Sequence, residues 1–149
     1  MTDKTITVQL QQQADYRFNI VFDNTIPILT SDEPAPLGTG LGPSPVQMLC
    51  AAVGNCLSDS LLFAFRKFKQ SAEPIQCEVQ ASVGRNEAGR VRVLKISAEM
   101  KLGVAANELE HADRVLNQFE EFCTVTQSVG QGIAIHTRVM DVNGVTLKD

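Results

Sequence analysis

Residues 42–61 read GPSPVQMLCAAVGNCLSDSL. Ser44 is a good helix N-cap, Pro45 suits the first helical position, and Gln47 completes a capping box three residues on. The pattern predicts a helix from Pro45 to Lys69, roughly 37 Å long at ~1.5 Å per residue. Its first half, VQMLCAAVGNCL, is apolar nearly all round. Such a helix is buried on every side, inside the domain or against a partner chain. A chain of 149 residues has few other elements to cover it, so an obligate homodimer is expected. Arg66, Lys67 and Lys69 close the helix and suit the negative end of its dipole.

Alternating patterns flank this helix. Thr5 to Leu10 and Tyr16 to Phe22 alternate polar and apolar residues, as half-buried strands do. Asp23-Asn24 signals a turn before Ile26 to Leu29. Residues 1–30 therefore read as an antiparallel meander, and Ser31 to Ser44, rich in Pro and Gly, as a loop. Beyond the helix, Ile75 to Arg85 and Arg90 to Leu102 form a long hairpin within residues 74–102. A second helix is predicted over Asn107 to Phe122, with Leu109, Ala112, Val115, Leu116, Phe119 and Phe122 as its apolar stripe. It breaks at Cys123-Thr124, and a helical turn ends at Gly130, so the segment spans 107–130. Ile133 to Val139, within 132–140, is a last strand. Strands segregated from helices indicate an α+β fold in one domain, residues 1–149.

Composition removes several functions. The net charge is −4, and the densest basic group is Arg66, Lys67 and Lys69, which argues against a nucleic-acid partner. Seven Phe, one Tyr and no Trp leave little material for stacking bases. GTGLGPSP lacks both the Walker lysine and the dinucleotide-binding spacing. Pro34 to Ser58 carries no charge, but four prolines and three glycines occupy its first half, and the helical remainder is too short to cross a membrane. The N-terminus has no apolar signal region, so a cytoplasmic location without membrane attachment is expected.

Four cysteines remain: Cys50, Cys56, Cys77 and Cys123. None has zinc-ligand spacing, and His111 and His136 stand apart from any Cys-x-x-Cys, so neither metal nor cofactor is expected. A cytosolic chain of this size needs no disulfide staple. The thiols are then either core packing or reactive groups. Burial alone would raise the pKa of Cys56 and leave it inert, and it lies about three turns from the start of its own helix. A reactive Cys56 needs a cation, and Arg17 is the one Arg before the helix.

The Pro-Ser-Pro helix start leading to Gly54-x-Cys56, with FCTVTQSV (residues 122–129) further on, resembles the OsmC/Ohr family. These are the osmotically induced proteins C and the organic hydroperoxide resistance proteins. The resemblance covers nearly the whole chain. It implies an intertwined α+β homodimer with antiparallel sheets around long central helices. It also implies a thiol peroxidase for organic hydroperoxides, in which Cys56 is peroxidatic, Cys123 resolves it, and an external dithiol reduces the disulfide. Arg17 would be the activating cation. Strongly active members carry a Glu ten residues before the peroxidatic Cys, which orients that Arg; here the position is Val46, so Arg17 is expected to be unclamped.

Other readings stay open. A non-enzymatic dimer that binds small molecules or lipids would use the same apolar helix with passive or redox-sensing thiols. A Cys-His hydrolase lacks a histidine in a partnering context. Cys50 lies about 240° round the helix from Cys56 and Cys77 in a strand, and both read as structural. Asp59 shares the face of Cys56 and reads as a polar contact, while His111 and His136 read as surface residues.

Overall fold

The computed structural model describes residues 2–149, which divide into two compact units, Met1–Met48 and Leu49–Asp149. In the first, β1 (Gln9–Ala14), β2 (Arg17–Val21) and β3 (Leu29–Ser31) form an antiparallel sheet in that order. The first strand starts four residues later than Thr5, its expected start. Gln11, Gln12 and Gln13 pair or bulge against β2 although they bury nothing, since backbone hydrogen bonds need no apolar face. The loop after β3 closes on Asp32. Its carboxylate accepts from the Glu33, Thr39 and Leu41 amides and from the Thr39 hydroxyl at 2.8 Å.

Helix α1 (Pro45–Lys67) begins as the capping box requires. The Ser44 amide donates to Gln47 Oε1 at 2.9 Å, and the Gln47 amide donates to Ser44 Oγ at 3.3 Å. The helix ends two residues before Lys69, which adopts a left-handed φ of 57°.

In the second unit, β4 (Gln76–Arg85) and β5 (Val91–Lys101) make the expected hairpin, closed around Asn86–Arg90. β6 (Ala134–Met140) lies parallel to β5, and β7 (Thr146–Lys148) antiparallel to β6. The parallel pairing needs a long crossover, and the helices between β5 and β6 supply it. Val53, Leu57, Leu61 and Phe65, one stripe of α1, are fully buried with Ile96, Met100 and Val139 of the sheet and Val115 and Phe119 of the crossover. Each such side chain contributes roughly 1.5–3 kcal/mol.

The chain itself covers one face of the first half of α1, leaving Ala51, Ala52 and Asn55 exposed. Two expectations change here. The 23-residue α1 contains an 18-residue window with a mean hydropathy of 1.6 and so is long and apolar enough by composition to cross a membrane, contrary to the sequence argument. Its packing as a core helix accounts for that pattern equally well. The second helix is broken. It comprises a 3₁₀ turn at Ala106–Glu108, α2 (Ala112–Gln118), another 3₁₀ turn at Phe119–Phe122, and α3 (Thr124–Val129). His111 takes a left-handed φ of 58°, and the Glu110 amide bonds Gln70 Oε1, so no continuous helix can pass through Leu109.

Gly54 sets how closely α1 approaches the sheet, because a Cβ there would lie 2.6 Å from Val79 Cγ2. Gly54→Ala should therefore push α1 off β4 and destabilise the protein by about 1–3 kcal/mol. Urea unfolding measures this, and an unchanged midpoint would contradict the packing.

Candidate functional site

Cys56 sits half-buried on α1, one residue before the buried Leu57. Its sulfur lies 2.8 Å from that of Cys123, a fully buried residue at the junction of the Phe119–Phe122 turn and α3. Two cysteines 67 residues apart thus face each other within the second unit. The Cys123 sulfur is also 2.9 Å from Thr126 Oγ1. Cys50 and Cys77 take no part in this contact, and all four thiols are free.

The break at Cys123 has a chemical consequence. Cys123 is the N-cap of α3, with extended backbone and no capping hydrogen bond from its own side chain. The first amides of a helix lack internal acceptors. Those of Val125 and Thr126 lie near the Cys56 sulfur, which comes from another helix. These amides favour the thiolate. Burial of Cys56 works against it, as does the sharing of its proton with Cys123, and together they push the Cys56 thiol up from the ordinary value. Within Leu49–Asp149 no basic side chain bonds to either sulfur.

Arg17 belongs to the first unit, on β2, and it is not unclamped. Its Nη2 donates to Thr39 Oγ1 at 2.9 Å, and its Nε stands 3.7 Å from Asp32 Oδ2. That Nε is buried without a hydrogen-bond partner. Asp32 is 2 % exposed, and the Thr39 hydroxyl, followed by the loop amides, holds its carboxyl below the usual range. Asp32 escaped the sequence reading because it lies in an aperiodic loop, where only the Gly and Pro content carried a signal.

The remaining singled-out residues have structural partners. Cys77 is set against α1 at Gly54, and burial raises its thiol. Asp59 accepts from Asn55 Nδ2 at 2.8 Å on the exposed face. His136 Nε2 meets Asp149 Oδ1 at 2.8 Å, and exposed His111 packs beside Phe68. No group of three or more His, Cys, Asp or Glu suited to a metal occurs among the described residues.

The family model described as OsmC-like protein matches residues 38–138, which carry both Cys56 and Cys123. The chain belongs to the OsmC-like family. Solved structures agree with the fold. An OsmC-like protein of unknown function from Vibrio cholerae superposes with a TM-score of 0.78 at 15% identity, over 93% of this chain and 100% of that one. An OsmC-like protein from Mycoplasma pneumoniae gives 0.77 at 16%, over 95% and 99%. An organic hydroperoxide resistance protein of Bacillus subtilis gives 0.71 at 16%, over 92% and 98%. No curated protein sequence matches this OsmC-like chain.

The upward shift of Cys56 has a direct readout. A raised pKa leaves the group as thiol at neutral pH, and thiolate accumulates only above the ordinary value of about 8.5. Alkylation of Cys56 by iodoacetamide, followed by peptide mass analysis, should climb with pH from 6 to 9 without levelling. A plateau below pH 7.5 would show a cation on the sulfur in the resting protein.

Proposed function

We propose that this OsmC-like protein is a two-cysteine thiol peroxidase for organic hydroperoxides. The observation that carries the reading is the 2.8 Å contact between the Cys56 and Cys123 sulfurs. Thiols placed so close need only a small approach to reach the ~2.05 Å of a disulfide. Cys56 is the attacking group because it is partly accessible, whereas Cys123 is buried.

The chemistry balances as follows. The Cys56 thiolate attacks one peroxide oxygen, the O–O bond breaks, and the sulfur loses two electrons to become a sulfenic acid. The other oxygen takes a proton and leaves as an alcohol. Cys123 then attacks the Cys56 sulfur. An S–S bond forms, the S–O bond breaks, and water departs. An external dithiol returns both cysteines to thiols and becomes a disulfide itself. A cytoplasmic thiol pool suits that last step.

The resting thiol of Cys56 must ionise for this to run, and Arg17 is the proposed cation. Asp32 takes the place of the carboxylate that the Val46 position lacks. Its hydrogen bonds to the loop and its approach to Arg17 support a preorganised guanidinium, which is worth more than a mobile one. A homodimer belongs to the same reading. Each unit leaves apolar residues exposed, Leu10, Ile28 and Leu41 in the first and Ala51 and Ala52 in the second, that a second copy would cover. The competing reading, a passive binding protein, is favoured by one observation: the raised Cys56 thiol.

Turnover separates the two readings. With cumene hydroperoxide and dithiothreitol, wild type should consume peroxide, and Cys56→Ser should not. Cys123→Ser should stall as a sulfenic acid on Cys56 that dimedone labels. Wild-type turnover equal to that of Cys56→Ser would leave only the passive reading.

Stopped-flow rates test the cation. Arg17→Ala should react at least tenfold more slowly, about 1.4 kcal/mol. Asp32→Asn should also be slow, and adding it to Arg17→Ala should change little, because the carboxylate acts through the Arg. An Arg17→Ala protein as fast as wild type would remove Arg17 from the mechanism.

A further inference from the structure

Polar side chains are buried at three positions of Leu49–Asp149: Thr126, Thr137 and Asp141. Asp141 accepts from the amides of its own turn and of Ala106. Thr126, 6% exposed, faces the sulfur pair instead.

Its placement follows from the break at Cys123. Cys123 is the N-cap of α3 and Thr126 lies three residues on, so the two side chains share one face of the turn. An N-cap side chain ordinarily turns to an amide of that turn, but the Cys123 side chain makes no such bond. Its sulfur lies 2.9 Å from Thr126 Oγ1 and 2.8 Å from the Cys56 sulfur. A helical Thr hydroxyl often bonds a carbonyl of the preceding turn, and here the Cys123 sulfur takes that place. The β-branched side chain is stiff at its first torsion, which holds the hydroxyl there.

These distances set a choice for one hydrogen. A thiol has a single S–H, and Cys123 has two neighbours within its reach. With the S–H directed at Cys56, the proton stands between the two sulfurs, and no lone pair of Cys123 faces the atom it would attack. With the S–H directed at Thr126 Oγ1, a lone pair faces Cys56. The hydroxyl carries a hydrogen of its own, so it can also donate to a sulfur that has lost its proton. No basic side chain of Leu49–Asp149 bonds to either sulfur, which leaves Thr126 as the one hydroxyl donor at Cys123 among the described residues.

We infer that Thr126 is a positioning residue for the resolving thiol: its hydroxyl accepts the S–H of resting Cys123, which turns a lone pair toward Cys56, and then donates to the sulfur as the proton leaves. This deepens the two-cysteine reading and rests on it for the natural reaction. There, Cys123 bonds to the sulfur of the Cys56 sulfenic acid, the S–O bond breaks, and the oxygen departs as water with the Cys123 proton. The hydroxyl bonds the resolving sulfur, so it acts on disulfide formation.

The test replaces the peroxide with a dipyridyl disulfide, which carries its own leaving group. Cys56 attacks it, a mixed disulfide forms and one thiopyridone leaves. Cys123 then attacks the Cys56 sulfur, and the second thiopyridone leaves with the Cys123 proton. Reduced full-length protein is given one equivalent, quenched in acid over time, digested and mapped by mass, which follows the Cys56 adduct and the Cys56–Cys123 cross-link. Conversion of adduct to cross-link should slow at least tenfold in Thr126→Val, about 1.4 kcal/mol. Valine keeps the shape of the side chain and lacks the hydroxyl. Thr126→Ala should slow equally, and it decides the matter if the valine variant does not fold. Thr126→Ser should restore most of the rate. Conversion in the valine and alanine variants as fast as in wild type, or a serine variant as slow as they are, would overturn the inference. So would a wild type whose Cys56 adduct never passes to Cys123. Hydroperoxide plays no part in this assay, so the inference can fail while cumene hydroperoxide is still turned over, and can stand if it is not.

Discussion

The rest of the site depends on one contact, the 2.8 Å approach of the Cys56 sulfur to that of Cys123 at the start of α3. Helix starts expose amides that must find acceptors. Here the cap residue makes no capping hydrogen bond with its own side chain, and the Val125 and Thr126 amides favour the ionised form of the sulfur delivered by α1. The break of the crossover at Cys123 puts this cap residue against the same sulfur at 2.8 Å.

The fold has to bring two distant segments to that point, and it does so by close packing. Gly54 lets α1 come down on Val79 and Cys77 of β4, while Leu57 and Leu61 anchor the next turns. The parallel pairing of β6 with β5 forces the intervening chain back across the sheet, which carries α2 and α3 past α1. Asp141, buried and bonded to the Ala106, Asn143 and Val145 amides, ties the start of the crossover to the end of β6. On β7, Lys148 donates to the Leu116 carbonyl and closes the far side. Burial in this packed layer is also what raises the Cys56 thiol.

Much of this was legible in the sequence where side chains alone determine the outcome. The capping box at Ser44 and Gln47 located the start of α1 to the residue, and two strand-like runs either side of a short turn located the β4–β5 hairpin. Cys56 and Cys123 were readable as a pair through the family resemblance. Elements governed by the backbone were harder to read. The apolar stripe of residues 109–122 suggested one helix, because nothing in the side chains announces the left-handed His111. β7 is three residues long and has too little pattern to detect. The amides near Cys56 carry no residue-type signal, and Asp32 became visible only once its loop had folded around it.

The central claim is that these two sulfurs form a redox pair within one chain. It is tested most directly by oxidising the reduced protein with one equivalent of cumene hydroperoxide, alkylating the remaining thiols, digesting without reductant and mapping the peptides by mass. The account predicts a single Cys56–Cys123 cross-link, with Cys50 and Cys77 alkylated. Cys56 linked to Cys50 or Cys77, or Cys123 fully alkylated after oxidation, would contradict it.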